Sequence, residues 1–142
     1  MTETLDVQRA PLNLFEAARV TLPSTGAWVD VYAPPRYREP PPIPGGDTLT
    51  YETTSTVTSA YVCNLGDDPA VVSVRINDGT NQFLVVNLAA IAAAPAINTT
   101  LNMLSSIIKS GETLQARVVS GPSCAMHVSF SQRTEELIEE VT

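Results

Sequence analysis

The stretch TVTSAYVCNLGDDPAVVSVRI, residues 56–76, carries the strongest fold signal in the chain. Two runs rich in β-branched residues, 57–65 and 70–76, flank the segment GDDP (residues 66–69), whose residue types are typical of a tight turn. In the second run apolar and polar residues alternate, which puts one face on a core and the other in water. The stretch therefore predicts an antiparallel hairpin, and we expect the other strands to be added to it.

Length and composition predict one folded domain. A chain of 142 residues is long enough to bury a sizeable core, and a hydrophobic fraction of 44% with 16% charged residues is ordinary for a globular protein. The 15 carboxylates outnumber the eight basic residues and give a net charge of −7. Because a surface of that sign repels phosphate, we expect no direct binding to nucleic acid.

The sequence also predicts where the chain is made. Its first residues lack a basic region followed by an apolar run, the pattern of a secretory signal. No stretch reaches the roughly 18 consecutive apolar residues of a membrane-spanning helix. We therefore expect synthesis in the cytoplasm and no membrane partner.

Short strand patterns recur along the rest of the chain. They cover residues 20–22, 27–32, 47–58, 82–88, 97–103, 113–119 and 124–130. In the last two of these, alternate residues form an apolar face, from Leu114 to Val118 and from Cys124 to Phe130. The segment NDGTN, residues 77–81, is a hairpin turn signal that leads into the strand at 82–88. The alanine-rich residues 89–96 are expected to be strand edge and loop, because Pro95 and the short length disfavour a helix. This spacing predicts an all-β protein, a single antiparallel β-sandwich of jelly-roll or immunoglobulin-like type over residues 27–131.

Three segments are predicted to extend from the sandwich. Residues 1–26 form an N-terminal arm with a first short strand, in which residues 13–19 make either one helical turn or an extended segment. Residues 33–46 hold six of the eleven prolines and predict a stiff loop that cannot pair within a sheet. Residues 132–142 predict a short acidic terminal helix or a disordered tail.

These segments supply the candidate subunit contacts. Apolar arm residues without a clear period are expected to pack on a neighbour, tryptophan is a frequent core or interface anchor, and the planar guanidinium of arginine suits charge-paired interfaces. The candidates are Leu12, Leu14, Phe15, Arg19, Trp28, Arg36, Tyr37 and Arg38.

The two cysteines, Cys63 and Cys124, leave two interpretations open. They lack the CxxC spacing of a metal site and too few other ligands accompany them. One interpretation is that both are buried thiols in a reducing compartment. A disulfide between an inner strand and the last strand is the other, and it is favoured if the protein later works outside the cell.

Catalytic patterns are absent from the sequence. His127, the single histidine, lies on the polar side of a predicted strand with no acidic residue beside it, so we interpret it as a solvent-facing or edge residue. Asp67 and Asp68 are interpreted as turn formers rather than as calcium ligands. None of the common nucleophile, zinc, phosphate-loop or dinucleotide motifs occurs. We therefore expect no enzymatic activity, no metal and no cofactor.

Five short motifs resemble the small all-β virion proteins of tailed bacteriophages. They are VYAP (31–34), TSAYVCN (58–64), VVSVRI (71–76), IKSGETL (108–114) and VSF (128–130). The similarity covers about residues 28–131, and the chain departs from the pattern in its longer proline-rich insertion and its extra acidic tail. The resemblance implies a non-enzymatic building block of the virion in the neck, tail or head accessory position, with itself and other virion proteins as partners.

A β-sandwich adhesin is the alternative interpretation. A module that recognises a glycan or receptor needs exposed aromatic faces for stacking, and Trp28, Tyr32 and Tyr37 are the candidates for them. The alternation of residues 27–32 predicts that Trp28, Asp30 and Tyr32 share one side of their strand.

Overall fold

The structure, a computed structural model, describes residues 14–39, 44–46, 49–93, 98–103 and 105–137. These residues contain β-strands and no helix, as the sequence predicted. The strands are β1 (Leu14–Leu22), β2 (Val29–Tyr32), β3 (Arg36–Glu39), β4 (Leu49–Asn64), β5 (Ala70–Asn77), β6 (Gln82–Ile91), β7 (Thr99–Thr100), β8 (Ile107–Lys109), β9 (Thr113–Ser120) and β10 (Cys124–Leu137).

Two antiparallel sheets pack face to face. Sheet A has the order β1-β10-β4-β3, and β7 and β8 also pair with β4, on the side away from β10. Sheet B has the order β2-β9-β5-β6. The pairing is nested: β1 pairs with β10, β2 with β9, β4 with β7 and β8, and β5 with β6. Nested pairing across two sheets is the topology of a jelly roll, to which β3 is added at one edge. The predicted β-sandwich is confirmed.

The core lies between the sheets and is built by alternation along each strand. Every second residue of β9 and β10 is buried, including Leu114, Val118, Val128 and Phe130. Each large apolar side chain buried in this way contributes about 1.5–3 kcal/mol to the free energy of unfolding. The predicted apolar face of residues 124–130 is therefore the core face.

The predicted hairpin of residues 57–76 is wrong in its pairing. Both strands exist, but β4 lies in sheet A and β5 in sheet B, so the turn between them crosses from one sheet to the other. The Asn64 side chain organises this turn, since its Oδ1 accepts from the Gly66 amide at 2.8 Å and its Nδ2 donates to the Asp68 carbonyl at 2.7 Å. The sequence correctly predicted a turn at residues 66–69, but the chemistry of the turn residues does not determine which sheet the chain enters next.

The β5–β6 hairpin is formed as its turn residues indicate. Asp78 donates its amide to the Asn81 carbonyl, and its carboxylate Oδ1 accepts from the amides of Asn81 and Thr80 at 2.6 and 2.8 Å. These backbone donors, Asn81 first, lower the pKa of Asp78. The turn is thus closed by the aspartate that the sequence places there.

Tyr32 lies on the opposite side from that predicted. A register shift between Asp30 and Tyr32 places Tyr32 opposite the buried Leu114. Its ring stacks on Phe130 with centroids 4.3 Å apart, and its hydroxyl accepts from Gln132 and Ser55. A β-bulge reverses the side-chain alternation, and alternation in the sequence cannot reveal it.

The three predicted extensions are more structured than expected. Residues 14–22 form the extended strand β1 rather than a helical turn, which settles the choice that the sequence left open. Residues 36–39 of the proline-rich segment pair with β4 as β3, because these four residues keep their backbone donors between the flanking prolines. Strand β10 continues to Leu137, so residues 132–137 belong to sheet A and are not a separate tail. Residues 138–142 lie outside the described residues.

Two sheet-crossing turns pack against each other at one end of the sandwich. The Leu65 amide donates to the Ser123 carbonyl at 3.0 Å, and a Cβ placed on Gly66 would lie 2.4 Å from the Pro122 ring. Gly121 has φ +97°, and a Cβ there would lie 2.4 Å from the Pro69 carbonyl oxygen. Only glycine fits this contact.

We expect Gly121→Ala to lower the free energy of unfolding by about 2–5 kcal/mol, from the left-handed backbone and the backbone clash together. Gly79→Ala is the matched control, since Gly79 has φ +95° with nothing within 4 Å of an added Cβ. The free energy of unfolding of the Gly79→Ala variant should fall by only about 1–2 kcal/mol. Urea unfolding midpoints measure both, and equal losses would contradict the packing of the two turns.

Candidate interaction surface

The predicted contact residues lie on three separate surfaces. Leu12 is outside the described residues, and Leu14 begins β1. Phe15 follows on the outer face of sheet A and is 81% exposed. It stands beside small residues on the same face, where Ala17 lies opposite Ser129. An aromatic side chain this exposed is the clearest contact candidate that the sequence analysis selected.

Arg19 contacts the single histidine on the outer face of sheet A. Its Nε donates to His127 Nδ1 at 3.1 Å, and the His127 ring stacks on Tyr61 with centroids 4.9 Å apart. Because Nδ1 accepts, the neutral ring carries its proton on Nε2, which lies 3.2 Å from Ser129 Oγ. Both ring nitrogens and one ring face are therefore occupied, and the lone pair that a general base would use points at a guanidinium.

The β3 candidates lie at the edge of sheet A. Arg36 Nη2 forms an ion pair with Glu52 Oε1 at 2.8 Å, and both side chains are exposed. Such a pair contributes at most about 1 kcal/mol, so it positions Arg36 more than it stabilises the fold. Tyr37 and Arg38 follow in the same strand, opposite Tyr51 and Thr50.

Trp28 lies on the outer face of sheet B against two arginines. The guanidinium carbons of Arg75 and Arg117 lie 4.0 and 4.7 Å from the centroid of its ring. We call these three residues the arginine–tryptophan cluster. Trp28 was predicted as a contact residue from the sequence, whereas Arg75 and Arg117 were not, although the alternation along β5 and β9 indicates that both face outward. The Trp28 ring is covered by these cations, and Tyr32 points inward, so neither is an open stacking face.

A second missed surface is the edge strand β6. Phe83, Leu84 and Leu88 are 52%, 59% and 57% exposed, and we call them the β6 apolar patch. Leu88 has φ +55°, in the left-handed region, and its amide donates to Ser73 Oγ at 3.1 Å where β6 bulges away from β5. The sequence predicted this strand but not its edge position, which depends on the topology of sheet B.

The two cysteines are free thiols on opposite faces of sheet A. Cys124 is fully buried in the core and lies opposite Asn64, whereas the half-buried Cys63 lies opposite Ala125 on the outer face. The disulfide that the sequence left open is therefore not formed in this structure. Burial, and after it the neighbouring Cys63, raises the pKa of the Cys124 thiol.

Among the described residues no three His, Cys, Asp or Glu side chains come together in a way that could hold a metal ion. In the same residues no helix has the length and apolar character to cross a membrane. No protein-family model matches this chain, and no curated protein shows significant sequence similarity to it.

We expect the native protein to incorporate one alkylating label per chain, at Cys63. Cys124 should react only after unfolding, because it is buried and its raised pKa leaves less of the reactive thiolate. Intact mass and peptide mapping before and after adding denaturant measure this, with Cys63→Ser as the control that should remain unlabelled when native. A chain that takes up no label in denaturant until it is reduced would contradict the free thiols.

Proposed function

We propose that this chain is a non-enzymatic structural component of a tailed-phage virion, in the neck or collar, the tail, or a head accessory or decoration position. It assembles with copies of itself and with other virion proteins through its N-terminal and loop segments and through β6. The observation that carries the proposal is the β6 apolar patch, which lies on an edge of the sandwich where β6 pairs with no described strand other than β5.

An exposed apolar edge strand is unusual for a protein that acts alone. Edge strands in monomeric proteins are commonly shortened, charged or covered, since unpaired backbone groups invite pairing with another chain. Strand β6 has ten residues, and its exposed Phe83, Leu84 and Leu88 carry no charge. Leu88 also adopts a backbone conformation that costs a leucine about 1–2 kcal/mol. Burial of these side chains against a neighbouring subunit accounts for their presence.

Apolar contact candidates lie on both lateral sides of the sandwich. Strand β1, which carries Phe15, is next to β2 on one side, whereas β6 is next to β4 on the other. If one side of a copy contacts the opposite side of the next, the interface is heterologous, and such contacts build closed rings or extended arrays. Repeated arrangements of this kind are what a neck, tail or head accessory protein requires.

Fold analogy supports the same proposal. Jelly rolls occur in viral capsid proteins and in lectins, so the topology is compatible both with a virion component and with the adhesin alternative. The adhesin requires open aromatic faces, and two of its three candidate rings are engaged, Trp28 by arginines and Tyr32 by Phe130. The virion component is therefore the function that the geometry supports best.

The direct test is the protein content of density-purified, DNA-filled particles, followed by immunogold labelling with antibody to this chain. We expect co-purification and labelling at one place in the particle. A variant lacking residues 1–13 should fold, since β1 begins at Leu14, but should be depleted from particles. Absence of the intact chain from particles would sink the virion proposal and favour the adhesin.

The β6 apolar patch has its own test. We expect the double variant Leu84→Lys and Leu88→Lys to fold but to lose self-association, because two charges would be placed in a contact that buries apolar surface. Leu65→Lys is the matched control, since Leu65 is similarly exposed at 56% but lies in the sheet-crossing turn. Sedimentation velocity measures the association. Equal association of both variants and the parent protein would show that β6 is not the contact.

A further inference from the structure

The arginine–tryptophan cluster has more hydrogen-bond donors than acceptors. The Arg117 side chain makes no hydrogen bond within the described residues, and its Nε is buried without a partner. A buried donor without an acceptor is costly and is rare in folded proteins. The cation–π contact with Trp28 holds the guanidinium in place but accepts none of its N–H bonds.

Arg75 is held in one orientation by a chain of side chains across sheet B. Asp30 Oδ1 accepts from Gln115 Nε2 at 2.7 Å, which turns Gln115 Oε1 toward Arg75, and Oε1 accepts from Arg75 Nε at 2.8 Å. The pairing register places Asp30, Gln115, Arg75 and Leu84 side by side on the outer face. Since Nε is engaged, the two Nη groups of Arg75 remain available to an outside acceptor.

No carboxylate in the described part of the chain forms an ion pair with Arg75 or Arg117. This is notable in a chain with 15 carboxylates and a net charge of −7. Two guanidinium groups stacked on one ring repel each other, and a nearby anion would relieve that repulsion. The cluster therefore has the charge, the free donors and the rigid support of a carboxylate-binding site.

We propose that the arginine–tryptophan cluster binds the acidic C-terminal segment, residues 135–140, of a second copy of this chain. The assignment rests on the self-association in the proposed function and names one of its contacts. The carboxylates of the segment would accept from the Nη groups of Arg75 and Arg117 and would lie against the edge of the Trp28 ring.

Charge complementarity selects this segment. Glu135, Glu136, Glu139 and Glu140 place four carboxylates within six residues. Two copies that each carry a charge of −7 repel each other, and docking acidic residues on an unpaired arginine pair reduces that cost. Asp67 and Asp68 are a second acidic pair and are exposed, but they are held in the turn that packs on Pro122.

Chain length favours a second copy over the same chain. Strand β10 ends at Leu137 in sheet A, whereas the cluster lies on the outer face of sheet B. Glu140 is three residues further, so its Cα lies at most about 11 Å from that of Leu137. The two sheets of a sandwich are already about 10 Å apart, and the chain would also have to pass round the end of sheet B. A neighbouring molecule has no such restriction.

Trp28 is the single tryptophan of the chain, so fluorescence reports on the cluster alone. The intact protein is titrated, at a concentration where it is monomeric, with a peptide of residues 134–142, and in parallel with the same peptide carrying Gln at its four Glu positions. We expect a saturable change in Trp28 emission with the first peptide, none with the second, and weaker binding at higher ionic strength.

Variants of the protein test which cations are involved. Arg75→Gln and Arg117→Gln should each weaken peptide binding by about tenfold or more, since each removes one charged partner of the carboxylates. Arg36→Gln is the matched control, because Arg36 is already paired with Glu52, and it should leave the affinity unchanged. Arg75→Lys and Arg117→Lys keep the charge but lose the forked donors, so intermediate affinities are expected. Unfolding midpoints establish that each variant is folded.

Three results would overturn the assignment: no saturable response to the acidic peptide, an equal response to the Gln peptide, or affinity unchanged in both Arg→Gln variants. A response to inorganic phosphate without one to the peptide would also overturn it. Particle association without peptide binding rejects this contact and leaves the proposed function in place. Peptide binding by a chain that is absent from particles supports the contact and rejects the virion role.

Discussion

The antiparallel ladder between β4 and β10 is the interaction on which the rest of the structure depends. It joins Leu49–Asn64 to Cys124–Leu137 and thereby connects the middle of the chain to its end. Strand β1 pairs on the far side of β10, and β3, β7 and β8 pair on the far side of β4. This ladder links residues that are far apart in sequence. The entropy cost of closing the long loop is therefore incurred before the strand contacts can stabilise the fold, and folding is expected to be slow.

The ladder also sorts side chains between core and surface. One face of β10 presents Met126, Val128 and Phe130 to sheet B, and the other presents His127 and Ser129 to solvent or to β1 and β4. Once the ladder is in register, every residue of both strands is assigned to one environment. A slip of one residue would exchange the two faces, so burial of the apolar face specifies the register strongly.

Two departures from local rules in sheet B meet at Ser73. Its hydroxyl accepts from the amide of Leu88, the leucine with a left-handed backbone. The same residue lies opposite Arg117, whose Nε is buried without an acceptor. Local conflicts in natural proteins are concentrated where function constrains the chain. Both proposed contacts, the β6 apolar patch and the arginine–tryptophan cluster, flank this position, so the two proposals place a partner at the outer face and edge of sheet B.

The sequence by itself determined the all-β class, most strands, the core faces of β9 and β10, and the β5–β6 hairpin. These features depend on alternation and on turn residues, which act within a few positions of one another. Only the tertiary structure decided that β4 and β5 belong to different sheets, that Tyr32 turns inward and that β10 continues through Gln132. It alone brought Arg75 and Arg117 to Trp28 and left β6 at an edge. These outcomes depend on strand order, bulges and register, which are set by packing between distant segments and leave no local signal.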